Sequence, residues 1–82
     1  MTKYDLLTQN LIIQGYNLYT YKGLEHWSTT PLNSEQGFTL LKNNKELKKD
    51  LLRQERAEKQ ALGVELLELD KWVNNRKKEL KL

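Results

Sequence analysis

Residues 43–80 read NNKELKKDLLRQERAEKQALGVELLELDKWVNNRKKEL, and the way this stretch divides decides the fold. Asn43-Asn44-Lys45-Glu46 has the spacing of a capping box, with Asn43 as cap and Glu46 at the third helical position. A helix starting afresh there is favoured over one running through from Ser34, because asparagine is a poor interior residue. From Lys45 to about Leu80 only Gly63 interrupts a run of good helix formers. A continuous helix of that length would be roughly 54 Å long. Its apolar positions Leu62, Leu66, Leu69, Val73 and Leu80 recur in steps of four and three, with Arg76 in the missing slot. The upstream stripe of Leu47, Leu51 (with Leu52 beside it), Ala57 and Ala61 is thinner, with Glu55 and Lys59 where a heptad wants leucine. The two halves of the helix are therefore expected to face different things. Gly63 divides them, as a bend, a close crossing or a turn between two helices; its cost of about 1 kcal/mol in a helix interior fits all three.

Working outward, Thr2-Lys3-Tyr4-Asp5 repeats the capping-box spacing, and Tyr4, Leu7 and Leu11 follow near helical intervals. A helix is expected over about 3–14, with Gly15 at its C-terminal cap. Residues 16–28 change character. They carry Tyr16, Tyr19, Tyr21 and Trp27 around a Lys22-Gly23 break. A hairpin with strands near 17–21 and 24–28 is preferred over a second short helix, and such a ribbon needs a helix to pack on. Pro31 pushes Thr30 toward extended geometry. Asn33 or Ser34 is placed to cap a turn reaching from Glu35 to Leu41. The expected fold class is mainly α, with α+β as the variant. It comprises a short N-terminal helix, an aromatic-rich hairpin or irregular segment, and a long C-terminal helix bent at Gly63 or continuous through it.

With 82 residues the chain is one domain, 1–82. A chain of this size hides only about 60–65% of its unfolded surface, so stabilisation by a partner is a natural expectation. It has no cysteine, which excludes disulfides and thiolate zinc sites. No targeting segment is visible. Leu11-Ile12-Ile13 is too short for a membrane span, and a cytoplasmic location is the default. The net charge of +3 is unevenly placed. Residues 42–49 hold four basic side chains and one acidic, residues 50–70 three and six, and residues 71–82 five and one. Two basic ends around an acidic middle favour nucleic acid only weakly.

Chemistry-bearing residues are sparse. His26 is the single histidine, and no second ligand stands four residues away. Ser28, Thr29, Thr30 and Ser34 lack a base to activate them. Glu65 and Glu68 share a helix face without a metal-binding companion. No catalytic residue, metal site or cofactor is expected. The tyrosines and Trp27 suit a small core or a protein interface, or less readily a stacking platform for bases beside Lys22.

The C-terminal run, Leu62-Gly63-Val64 followed by Trp72-Val73-Asn74-Asn75-Arg76-Lys77-Lys78, resembles the turn and recognition helix of homeodomain-type helix-turn-helix modules. The resemblance covers about 17 residues. It implies a buried Trp72 supported by Val73, Asn75 reading a base, and Arg76, Lys77 and Lys78 meeting phosphates or base edges. Glu65, Glu68 and Asp70 depart from it, because they would face DNA unfavourably.

The expected function is a non-enzymatic protein–protein interaction module of the general character of a phage or mobile-element accessory protein. Its partner is a second copy or a larger protein, and no membrane is involved. Its interface is Leu62, Leu66, Leu69, Trp72, Val73 and Leu80, and L69E is expected to dissociate the dimer. The alternative is a small basic DNA- or RNA-binding protein using Asn75, Arg76, Lys77 and Lys78. On either reading, R76A tests the basic run: it should weaken DNA binding, or leave stability and binding nearly unchanged if the run is only a solvated helix end.

Overall fold

A computed structural model describes residues 4–82. Helix α1 (Leu6–Ile13) leads into a hairpin of β1 (Asn17–Tyr21) and β2 (Leu24–Ser28). A short 3-10 turn (Ser34–Gln36) precedes β3 (Phe38–Lys42), and the chain ends in α2 (Asn44–Ala61) and α3 (Leu66–Glu79). The strands form one antiparallel sheet in the order β2-β1-β3. The fold is thus α+β and not mainly α, with 54% of the described residues helical and 19% in strands.

The strand missing from the sequence reading is β3. Asn33 does cap a turn, its Oδ1 accepting from the Glu35 amide at 2.9 Å. That turn lasts only three residues, because Gly37 takes a left-handed conformation with φ +93°. A Cβ there would also lie 3.3 Å from the Tyr21 ring. Beyond Gly37 the chain is extended, and β3 pairs with the free edge of β1. The hairpin expected from the aromatic content forms over 17–21 and 24–28. A third strand gives it the support that a two-stranded ribbon lacks.

Helix α1 begins later than expected. Asp5 is its cap, with Oδ1 accepting from the Thr8 amide at 2.8 Å. The cap expected at Thr2 lies outside the described residues. At the other end the Gly15 amide donates to the Ile12 carbonyl and the Tyr16 amide to that of Leu11. This is the paired closure of a Schellman motif.

The continuous 45–80 helix does not form. The same closure recurs at Gly63, whose amide donates to Gln60 while that of Val64 donates to Lys59. Gly63 adopts φ +86°, which is inexpensive only for glycine. It is therefore a turn. Lys59 Nζ lies 4.8 Å from the centre of the Trp72 ring. One helical turn further from the loop on each helix, Glu55 meets Arg76. Contacts that advance together along both helices define an antiparallel hairpin.

Two packing regions result. Ile12, Leu47 and Leu51 are fully buried between α1, α2 and the inner sheet face, with Tyr4, Leu18 and Trp27 against them. Further along, α3 packs on α2 and buries Leu69 and Leu80. The molecule measures 48 × 23 × 16 Å, with a radius of gyration of 14.8 Å against about 12 Å for a compact chain of this length. The excess length reflects the 18-residue α2, which packs by its first half on α1 and the sheet and carries α3 on its remainder.

Candidate interaction surface

The turn at Gly63 redistributes the six residues expected at an interface. Leu69 and Leu80 are 0% and 1% exposed, so the chain covers them itself. Trp72 and Val73 are half-buried on the same helix, and Lys59 covers the Trp72 ring. Only Leu62 and Leu66 remain open, at 83% and 66% exposure. A single stripe shared with a second copy is therefore not available. The open leucines are joined by Leu67, 76% exposed, which the stripe pattern passed over. Leu62, Leu66 and Leu67 enclose the loop between α2 and α3, and Glu65 is the one charged residue among 61–67. The signal for Leu67 was its position next to Leu66 in the first turn of a helix that has room to bury only one side.

The basic run is also divided. Arg76 is turned inward, with Nε 3.2 Å from Glu55 Oε1 and Nη1 2.8 Å from Glu79 Oε2. Partial burial works against its charge, but hydrogen bonds and charges from Glu79 and Glu55 outweigh that cost and raise its pKa. Asn75, Lys77 and Lys78 are exposed. The resemblance to a homeodomain-type turn and recognition helix does not extend to the geometry. Such a module crosses its two helices steeply, whereas α2 and α3 lie alongside one another, and the arginine meant for DNA is bound to two carboxylates.

The aromatic residues split between the two sheet faces. Trp27 and Leu18 face the core. Tyr19 and Tyr21 lie on the opposite face, where Phe38 stacks on Tyr21 with ring centres 4.7 Å apart and also contacts Tyr19 and His26. Tyr19 is itself buried beneath the β2–β3 connection, its hydroxyl accepting from the Leu32 amide at 3.2 Å. The expected group of Tyr16, Tyr19, Tyr21 and Trp27 therefore presents no common platform. Phe38, unnoticed in the sequence because β3 was, is the centre of the outer cluster.

Two adjoining shallow depressions of about 300 and 340 Å³ lie beside Tyr4, Leu18 and Glu25. The Tyr4 hydroxyl donates to Asp50 Oδ2 at 2.6 Å, and Lys42 Nζ stands 3.6 Å from the same oxygen. Burial, reinforced by the Asp50 hydrogen bond and charge, pushes the Tyr4 pKa up to about 12. This group joins α1 to α2 and holds no nucleophile with an adjacent base. His26 packs on Phe38, and no three metal-binding side chains cluster among the described residues. No helix among them is long and apolar enough to cross a membrane. Comparison of the chain with protein families, with curated proteins and with solved structures finds no match.

Proposed function

We propose that this protein is a non-enzymatic protein–protein interaction module that docks through the tip of its helical hairpin and self-associates there. One observation carries the reading: Leu62, Leu66 and Leu67 are 83%, 66% and 76% exposed around one loop, beyond the reach of either packing region. Three neighbouring large apolar side chains left in water mark a contact surface. A second copy is the simplest cover, since a two-fold axis brings the same leucines together from both sides.

The scale is modest. Burying a leucine is worth about 1.5–3 kcal/mol. Three leucines from each copy form a small contact, so the dimer is sought at roughly tens to hundreds of micromolar. Sedimentation equilibrium over that range should show a concentration-dependent dimer in the unaltered protein and a monomer in an L62E/L66E variant. A strict monomer at all concentrations, or a dimer indifferent to L62E/L66E, overturns the proposal.

A further inference from the structure

The solvent face of α2 separates charge in a way that the linear sequence conceals. Lys45, Lys49, Arg53 and Arg56 are all exposed. At 100° per residue they fall within about 80° of one another, along roughly 16 Å of helix. The acids interleaved with them point elsewhere. Asp50 is engaged by Tyr4 and Lys42, Glu55 by Arg76, and Glu58 is half-buried. Glu46 stands at the margin of the row, where Asn43 Nδ2 donates to its carboxylate at 3.1 Å. Asp50, Glu55 and Glu58 thus contribute no carboxylate to this face of α2, and the alternation of charge along the helix sequence does not appear on it.

The row works against the helix that carries it. Lys45–Lys49 and Lys49–Arg53 are like-charge pairs at a spacing of four, and Arg53–Arg56 at a spacing of three; such pairs destabilise a helix. Lys45 also sits in the first turn, where the macrodipole favours the opposite sign. None of the four makes an ion pair among the described residues. A local rule broken repeatedly with no internal return points to a ligand outside the chain.

We infer that the outer face of α2 is a binding site for the phosphate backbone of nucleic acid, read without regard to base sequence. The row holds no aromatic or apolar anchor of the kind that centres a protein interface. Its two arginines suit the paired oxygens of phosphate. It uses residues other than the C-terminal run of α3 and other than the leucine tip.

The test is fluorescence anisotropy of a labelled random-sequence 20-base-pair DNA duplex, titrated with the full chain between 20 and 200 mM salt. Four neutralised phosphates give a slope of log affinity against log salt near −3.6, about −0.9 for each contact. A K45Q/K49Q/R53Q/R56Q variant should bind at least 10-fold more weakly at 20 mM salt and lose most of that slope. Its melting temperature should be unchanged or raised, because the internal repulsion is gone. K77Q/K78Q should leave most of the slope in place, as should L62E/L66E. Absence of duplex binding at 20 mM salt overturns the inference, as does equal binding by the quadruple variant. Polyglutamate binding as tightly as the duplex, with the same salt slope, overturns the assignment to nucleic acid in favour of an acidic protein.

Discussion

Arg76 reaches across the helical hairpin to Glu55, with Nε 3.2 Å from Oε1, and both side chains are largely shielded from water at 18% and 19% exposure. Exposed ion pairs contribute little, but one this enclosed leaves a stranded charge if either partner is removed.

R76A is therefore expected to destabilise the protein by about 1–3 kcal/mol, chiefly through the carboxylate left behind at Glu55. An E55A/R76A double variant should recover part of that loss. Urea denaturation of the two single variants and the double gives the coupling energy directly. A loss below about 0.5 kcal/mol for R76A would return Arg76 to the status of a solvated helix end.

Asn44 does the work of a second splice. Its Nδ2 donates to the carbonyls of Ile12 and Tyr16 at 2.8 and 2.7 Å, and its backbone amide donates to Asn17 Oδ1 at 2.7 Å. The end of α1, the start of β1 and the first turn of α2 meet at this one residue. N44A should cost about 1–3 kcal/mol, since it removes the side-chain donor from two part-buried carbonyls. N43A should cost about 1 kcal/mol as a lost cap, because Asn43 Oδ1 accepts from the Glu46 amide at 2.9 Å. Reversal of that order under chemical denaturation would show that the splice is unimportant.

Asn43 and Asn44 also show what the sequence discloses and what it withholds. The spacing of Asn43 and Glu46 is a local signal, and it places the start of α2 correctly. The role of Asn44 depends on α1 and β1, which are remote in the chain, so nothing in its neighbourhood announces it. The hairpin was legible from its aromatic content and Lys22-Gly23 break. β3 was not, because Phe38-Thr39-Leu40-Leu41-Lys42 lacks clean alternation, and a bulge opposite Leu18 and Tyr19 shifts its register. Gly63 was legible as an interruption. That it is a turn follows from its left-handed φ and from the pairing of Glu55 with Arg76 and of Lys59 with Trp72. This same turn converts Leu69 and Leu80 from candidate interface into core.

Tyr4 makes stability depend on alkaline pH. Its pKa is raised to about 12 in the folded protein against an ordinary 10, so the neutral phenol is the form the fold prefers. The stabilisation is fully present below pH 10 and is lost as pH rises through 10 to 12. Phenylalanine at this position keeps the ring but removes the ionisation. The unaltered protein should therefore lose more stability between pH 9 and 11.5 than Y4F does, measured by urea midpoints in each buffer. Parallel losses in the two proteins would assign the alkaline effect to other groups.

The most discriminating pair of substitutions lies two residues apart on α3. Leu67 is 76% exposed and Leu69 is 0% exposed, although both are leucines in the first turns of one helix. Were α2 and α3 a single extended helix, Leu69 would lie in the shared stripe and L69E would separate two folded chains. In the hairpin, glutamate at 69 is placed inside the contact between α2 and α3. It should cost about 3–5 kcal/mol, comparable to leaving a buried charge without a partner. For a domain of this size that is a large part of the total stability, so helical circular dichroism should fall in the monomer itself. L67E puts the same carboxylate in water near the start of α3, where the helix dipole tolerates it. Its dichroism spectrum and melting temperature should match those of the unaltered protein, while its self-association at 100 µM should weaken. A folded L69E protein would contradict the hairpin, and an L67E protein that dimerises as strongly as the unaltered chain would remove Leu67 from the interface.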